Sequence, residues 1–347
     1  MRSGVHETRA GGTQCGALNG IVVAEAAIIR TERLSKTFDA RGRGKVEAVR
    51  GIDLTVNEGE IFGLLGPNGA GKTTTMRMLC TLLVPTEGRV TVVGFDLGTQ
   101  QAEIRRNIGY VGQKGGMEAV ATGRENLMLQ ALLYRMTRAT AKRTVDALIE
   151  RLNLSAFADR TADTYSGGQR RIFDLAAGVV NAPRLLFLDE PTTGLDPQSR
   201  ARVWEEVSEL NKAGTSIFLT THYLEEADEL CSRVAIVDHG EIVALGSPAE
   251  LKRQVAGDRL TFGYDNASDV AAAAALLTGD PLVLEMRIDG SLLQIYVREG
   301  DGALPELMRR LGAGSAPPKT AHLARPTLDD VFIKLTGRAL ATESESR

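Results

Sequence analysis

Gly66-Pro-Asn-Gly-Ala-Gly-Lys72-Thr73 fills every fixed position of G-x-x-x-x-G-K-[ST], and no other stretch of the chain limits its fold as tightly. An apolar run, Ile61-Phe-Gly-Leu-Leu65, leads in, and a helical pattern over 72–83 leads out. A strand that turns through glycines into a helix can aim successive backbone N–H groups at one point, and the helix N-terminus adds positive partial charge. Gly66, Gly69 and Gly71 allow that turn without Cβ clashes, with Pro67, Asn68 and Ala70 between them. Lys72 is placed to reach β- and γ-phosphates, Thr73 to ligate Mg2+, and Thr74 to extend the phosphate contact. The pattern predicts a triphosphate cradle.

A second element supports it. Leu185-Leu-Phe-Leu188 is apolar on both faces, as a central parallel strand must be, and ends in Asp189-Glu190. Open α/β sheets bind ligands at this C-terminal edge. Asp189 is suited to hold Mg2+, and Glu190, on the opposite face, to polarise an attacking water. Strand-like runs alternate with helical patterns through 27–256, which predicts a largely parallel sheet with crossover helices. Val234-Ala-Ile-Val237 and Glu241-Ile-Val-Ala-Leu245 flank Asp238-His-Gly240 as a hairpin. A further strand pair over 28–38 and 46–56 flanks the basic turn Arg41-Gly-Arg-Gly-Lys45, which reads as a solvated loop or a phosphate contact. Residues 114–175 read as a helical insertion. Thr122 and Glu125 have capping-box spacing, 127–134 is apolar nearly all round, and 140–152 is amphipathic. The all-round apolar helix is open to two readings, core or partner surface.

Further residues then fall into one pattern. Tyr165-Ser-Gly-Gly-Gln169 resembles the LSGGQ signature of ATP-binding cassette (ABC) ATPases, with Tyr for Leu. Gln113 in Tyr110-Val-Gly-Gln113 is similar to that family's Q-loop, Gly194-Leu-Asp196 to its D-loop, and Thr220-Thr-His222 to its switch histidine. The resemblance covers about 27–256 and implies a P-loop NTPase fold of the ABC ATPase type with a helical subdomain. It implies ATP and Mg2+ as cofactors and a head-to-tail homodimer. In that dimer each ATP lies between the cradle of one copy and Ser166, Gly167, Gly168 and Gln169 of the other. Glu190, His222 and Gln113 take the catalytic roles: His222 contacts the γ-phosphate, Gln113 reaches Mg2+ and senses the helical region, and Asp196 ties the two sites together. Phe38 stands where the family stacks an aromatic on adenine; the other reading is a core strand aromatic. A closer resemblance is to ATP-binding subunits of ABC-2-type drug exporters of the daunorubicin-resistance kind. Tyr165-Ser-Gly-Gly-Gln-Arg-Arg171, Asp174-Leu-Ala176, Thr221-His-Tyr-Leu-Glu-Glu-Ala-Asp228, Pro326-Thr-Leu-Asp-Asp-Val-Phe332 and Leu335-Thr-Gly-Arg338 carry it. The subgroup often has Arg-Arg-Arg-Leu-Asp after its signature, whereas Ile172 and Phe173 precede Asp174 here, which puts the packing of that helix or its coupling to a partner in doubt.

The remainder bounds the assignment. Residues 1–26 read as a flexible leader, with no clean signal-peptide run. Residues 257–347 read as a small α+β accessory domain of order β-α-β-β-α-β, suiting a ferredoxin-like fold, followed by a helix that Thr327 and Asp330 open and Gly337 closes. This tail regulates hydrolysis, extends the dimer contact, docks the partner or simply stabilises. Truncation after about Ala256 is expected to spare ATP binding and weaken dimerisation or coupling. The net charge is −3, so no global basic field invites nucleic acid. No apolar stretch approaches the roughly 18 residues of a membrane helix, so the exporter that the resemblance implies needs a separate transmembrane permease, with this chain expected on the cytoplasmic side of the cell membrane. Cys15, Cys80 and Cys231 are odd in number and lack C-x-x-C pairing, which argues for reduced thiols. The competing classes are a soluble ABC protein acting in translation or DNA repair, and a nucleotide-binding regulator without turnover. The first lacks its usual second cassette, and the second is opposed by Lys72, Asp189, Glu190 and His222.

Overall fold

The computed structural model describes residues 27–40, 44–255, 257–313 and 317–337. The expected leader, Cys15 and residues 41–43 of the basic turn lie outside them. The described residues begin with two long strands, β1 (Ala27–Ala40) and β2 (Gly44–Asn57), and then β3 (Ile61–Leu65), which feeds α1 (Lys72–Leu79). β4 (Glu87–Val92), β5 (Phe95–Asp96), α2 (Gln101–Asn107) and β6 (Ile108–Val111) follow. The helical stretch is α3 (Gly123–Leu133), α4 (Arg138–Arg151) and α5 (Gly167–Val179). Then β7 (Leu185–Asp189), α6 (Pro197–Lys212), β8 (Ser216–Thr221), α7 (Leu224–Leu230), β9 (Arg233–Asp238), β10 (Glu241–Gly246) and α8 (Pro248–Val255) complete the larger part.

Two sheets meet there. One is antiparallel, in the order β2-β1-β4-β5; the other runs β10-β9-β3-β8-β7-β6, parallel except for the β9–β10 hairpin. The period of two along each parallel strand separates the core into layers. Phe62, Leu64, Leu185, Phe187 and Phe218 pack with the antiparallel sheet and α1, while Ile61, Leu65, Leu186, Leu188, Ile217 and Leu219 pack with the helices of the opposite layer. Phe218 lies 5.6 Å from both Phe62 and Phe187, centroid to centroid, so the rings bridge three adjacent strands. α5 rests directly on β6: a Cβ at Gly109 would fall 1.9 Å from the Gly178 carbonyl oxygen.

Local chemistry sets the helix ends. Thr122 caps α3 in a complete capping box with Glu125, as its spacing predicts. α1 stops at Leu79, short of the predicted end at 83, because Thr81 takes φ 62 and the Leu82 and Leu83 amides both turn back to the Arg77 carbonyl. α3 divides its apolar residues between the two readings left open. Leu127 and Ala131 are buried, whereas Leu129 and Leu133 are 54% and 69% exposed.

The tail forms β11 (Asp258–Gly263), α9 (Ala267–Leu277), β12 (Glu285–Asp289), β13 (Leu292–Val297), α10 (Gly300–Gly312), β14 (Thr320–Ala324) and α11 (Leu328–Thr336). Its sheet is antiparallel, in the order β12-β13-β11-β14, with α9 and α10 packed on one face over Leu260, Phe262, Leu293 and Ile295. This is the ferredoxin-like order the pattern predicts. β12 begins at Glu285, after a turn over 280–283 in which the Val283 amide donates to the Asp280 carbonyl. α10 opens at Gly300 and carries Pro305 inside it.

α11 leaves this unit. Thr327 and Asp330 cap it reciprocally and Gly337 ends it at φ 74. Its Leu328, Val331 and Phe332 join Ala227, Leu230 and Leu251 in the core of the larger part. Truncation after Ala256 therefore strips side chains from that core, an effect separate from any on dimerisation. Phe332 is fully buried, so Phe332→Ala is expected to cost about 3–5 kcal/mol in urea denaturation of the full chain. A loss under about 1 kcal/mol would show that α11 is not an integral part of that core.

Candidate functional site

β3 ends at the cradle. The Gly66 amide donates to the Thr221 carbonyl at 3.3 Å, and a Cβ on Gly66 would lie 2.2 Å from the Val237 carbonyl oxygen. Gly71 has φ 103, and a Cβ there would lie 2.4 Å from the Ala48 carbonyl oxygen, so both positions require glycine. Lys72, 4% exposed, donates through Nζ to the Gly66 and Pro67 carbonyls at 2.7 and 3.1 Å. The same Nζ sits 3.5 Å from Glu190 Oε1. Burial pulls the Lys72 ammonium below its ordinary pKa, with Glu190 and Asp189 opposing. The cleft has a volume of about 280 Å³ and is lined by Pro67, Asn68, Gly69, Gly71, Lys72, Thr73 and Thr74, with Ala48 and Glu190 opposite.

The carboxylates face it from β7. Asp189 Oδ1 accepts from Thr73 Oγ1 at 3.1 Å and Thr220 Oγ1 at 2.7 Å. Glu190 takes φ 48, a left-handed conformation that its amide secures on the carbonyl and hydroxyl of Thr220, both at 3.1 Å. Its carboxylate accepts from Gln113 Nε2 at 2.8 Å and Thr193 Oγ1 at 3.3 Å. His222 Nδ1 lies 3.3 Å from Glu190 Oε1, within charge-pairing range but off the line of a hydrogen bond. Burial pushes the Glu190 carboxyl up, but His222 and Lys72 together outweigh it and hold the group below the usual carboxylate range.

The other predicted residues divide. Phe38 is 39% exposed, pairs in register with Val46, and has Lys36 Nζ over its ring at 5.3 Å. It is not a core aromatic, and it does not line the cleft. Ser166 caps α5 and exchanges hydrogen bonds with Gln169, at 3.2 and 3.1 Å. Gly168 lies against Ser199, whose amide and hydroxyl donate to Asp196, the N-cap of α6. Ser166, Gly167 and Asp196 are solvent-exposed, and with Gly168 and Gln169 they lie outside the cleft lining. The structure thus gathers Lys72, Thr73, Asp189, Glu190, Gln113 and His222, and leaves the signature turn beside the start of α6.

Several contributors lie within the quoted motifs but were given no role there. Thr220 becomes visible only when strand order places it opposite Asp189. Buried Arg171 donates from Nε to the Pro191 carbonyl at 2.6 Å, from Nη1 to Gly112 at 2.8 Å and from Nη2 to Asp189 at 3.2 Å. Its sequence signal was its place at the end of Tyr165-Ser-Gly-Gly-Gln-Arg-Arg171. Burial lowers the Arg171 guanidinium and raises Asp174, which accepts from the Gly116 amide at 3.1 Å. Glu226, also pushed up by burial, accepts from Thr192 at 2.7 Å and Trp204 Nε1 at 3.2 Å. The departures at Ile172 and Phe173 are accommodated in the core, where Phe173 stacks on Tyr165 at 5.1 Å.

The arrangement suits a triphosphate. Backbone amides and Lys72 meet anionic oxygens, and one hydroxyl beside one carboxylate is the sparse hard-oxygen set that Mg2+ takes when phosphates and water supply the rest. Among the described residues no group of three His, Cys, Asp or Glu side chains offers an all-protein metal cage.

Comparisons with known proteins agree with that chemistry. The family profile described as ABC transporter matches residues 49–193, and one described as the C-terminal domain of DrrA1-3-like ATP-binding proteins matches 246–336. The daunorubicin resistance ATP-binding protein DrrA3 of Streptomyces coeruleorubidus is 43% identical, over 85% of this chain and 92% of its own. The linearmycin resistance ATP-binding protein LnrL of Bacillus subtilis is 34% identical, over 90% and 99%. A dimeric structure of a bacterial ABC transporter cassette superposes with TM-score 0.58 at 25% identity, over 63% of this chain and 98% of that one.

Two outcomes test this geometry. The Tyr165 hydroxyl accepts from the Gly123 amide at 3.1 Å and donates to the Phe157 carbonyl at 2.7 Å, so Tyr165→Phe is expected to cost about 1 kcal/mol in chemical denaturation while keeping the ring stack. Because the Glu190 pKa is lower folded than unfolded, the stability from its ionisation is present above the unfolded value and lost as pH falls through the folded one. Wild type should therefore lose more stability on acidification than Glu190→Gln; equal losses would contradict the assignment.

Proposed function

The chain belongs to the ATP-binding proteins of ABC transporters of the daunorubicin-resistance kind, and on that premise we propose a residue-level account of how it turns ATP into transport. It is an ATPase whose hydrolysis energises an exporter. The observation that supports the account best is the convergence of Lys72, Gln113 and His222 on Glu190, beside the hydrogen-bonded pair Thr73 and Asp189.

ATP enters with its phosphates on the backbone amides of Asn68, Gly69 and Gly71, in the turn that Gly66, Pro67 and Ala70 shape, and with Thr74 beside them. Lys72 exchanges its carbonyl partners for β- and γ-phosphate oxygens and neutralises charge that grows toward the transition state. Thr73 and Asp189, with Gln113, would hold Mg2+, which supplies Lewis-acid neutralisation of phosphate charge. Glu190, kept ionised, accepts a proton from the attacking water. Gln113 releases Glu190 for that task, and His222 holds the γ-phosphate in line with the water. Phe38 stacks on the adenine as its strand moves over the base; its exposure leaves the ring available.

The exposed turn Ser166-Gly-Gly-Gln169 and Asp196 are supplied to a second copy. Free amides at the start of α5 donate to the γ-phosphate held in the partner's cradle, giving a head-to-tail sandwich with ATP at both seams. Hydrolysis removes the bridging phosphate and opens the pair. No described helix is long and apolar enough to cross a membrane, so the pathway belongs to a separate transmembrane permease. The chain then acts on the cytoplasmic face of the cell membrane, bound through that partner. The cargo is a drug, an antibiotic or another hydrophobic compound, as the names of the relatives suggest. Residues 27–256 act as the ATPase unit and 257–347 as an accessory unit anchored by α11.

Glu190→Gln is the deciding variant. It is expected to bind Mg·ATP with wild-type affinity, to slow phosphate release roughly a hundred-fold or more, and to accumulate as a dimer when saturated, read by size exclusion with light scattering. Phosphate release at the wild-type rate would remove Glu190 from the mechanism. A monomer under saturating Mg·ATP, with the permease present, would overturn the sandwich.

A further inference from the structure

α5 holds the loop between β6 and α3 at two points. Arg171 Nη1 donates to the Gly112 carbonyl at 2.8 Å, and one turn further along the helix Asp174 Oδ1 accepts from the Gly116 amide at 3.1 Å. Gln113 lies between these anchors and donates to Glu190 at 2.8 Å. The loop is shaped for the grip. Gly115 has φ +70, and a Cβ on it would lie 2.5 Å from Asp174 Oδ2. Arg171 also reaches the strand end that carries the carboxylates, through the Asp189, Glu190 and Pro191 carbonyls at 3.2, 3.4 and 2.6 Å. Both clamp side chains are buried, at 6% exposure each, where a planar guanidinium on several carbonyls loses most of its freedom to slide.

We propose that Arg171 and Asp174 are positioning residues: they lock Gln113 and the Glu190 backbone to the orientation of α5, so that seating the Ser166-Gly-Gly turn on a partner's nucleotide sets where Gln113 stands against Glu190. Neither residue lines the cradle. α5 is pressed on β6 at Gly178, near its C-terminal end, so a tilt of the helix about that contact is carried into the loop as displacement at Gly112 and Gly116. The three glycines Gly112, Gly115 and Gly116 let the loop follow. This rests on the ATPase reading above for the role of Gln113, but the clamp stands on its own geometry.

The test uses the full chain, with phosphate release measured against Mg·ATP concentration, equilibrium binding of a fluorescent ATP analogue, and hydrogen–deuterium exchange. Asp174→Leu, Arg171→Lys and Gly115→Ala should each lower kcat about ten-fold or more while KM and nucleotide Kd stay within about two-fold. Asp174→Asn, which keeps an acceptor for the Gly116 amide, should restore most of the rate. In a Gln113→Ala background Asp174→Leu and Gly115→Ala, which act through the loop, should add less than about two-fold, because their route is already cut. Losses that multiply in that background, or that appear in Kd, overturn the proposal. Gly115→Ala approaches the clamp from the loop side and guards against misfolding of a core variant. If wild type releases no phosphate, the ATPase reading fails and exchange decides alone. Faster exchange over 112–116 in Asp174→Leu and Gly115→Ala, with 66–74 unchanged, supports the clamp; unchanged exchange over 112–116 overturns it.

Discussion

A buried carboxylate must be surrounded by cations and donors, and Glu190 draws separate segments of the chain to one point to meet that need. Lys72 follows β3, Gln113 follows β6, Thr193 follows β7 and His222 follows β8. These are the C-terminal ends of strands that lie side by side in the order β3-β8-β7-β6. The parallel sheet therefore does more than form a core: it brings the loops after each strand to a common edge, and the charge at Glu190 fixes how they meet. A one-residue slip of β7 would exchange its two buried faces and carry Asp189 away from Thr220.

The same residue stores local strain. Glu190 is a non-glycine residue at φ 48, a conformation that costs on the order of 1 kcal/mol. Thr220 offsets it by accepting the Glu190 amide on two oxygens, and also anchors Asp189 through its hydroxyl. One threonine on the neighbouring strand thus sets the directions of both carboxylates, one toward Thr73 and one toward Lys72.

Much of this was legible in the sequence, for a definable reason. The cradle, the carboxylate strand and the signature turn are contiguous motifs whose chemistry is local, so Lys72, Asp189, Glu190 and Ser166 could be read directly, and the fold class with them. Thr220, Arg171 and Asp174 act through partners about 30 to 60 positions away, and no periodicity reports such a meeting. The aromatic at Phe38 had the right composition, but its place relative to the cleft depends on the path of β1 and β2. α11 carried clear capping signals, yet nothing local revealed which of two cores its apolar stripe would join. The signature Tyr165 looked like a simple departure from Leu; its hydroxyl in fact ties α3 to the turn before α5.

The route of α11 shapes how the chain comes into being. Leu328, Val331 and Phe332 complete a core that begins with β3, so during synthesis the larger part stands with an apolar gap beneath α8 until α11 has left the ribosome. Domains made N-terminus first usually close as each unit emerges. Here closure waits for residues that lie beyond an entire intervening unit, and a polypeptide cut short in that unit carries an unfinished surface that chaperones and proteases can recognise.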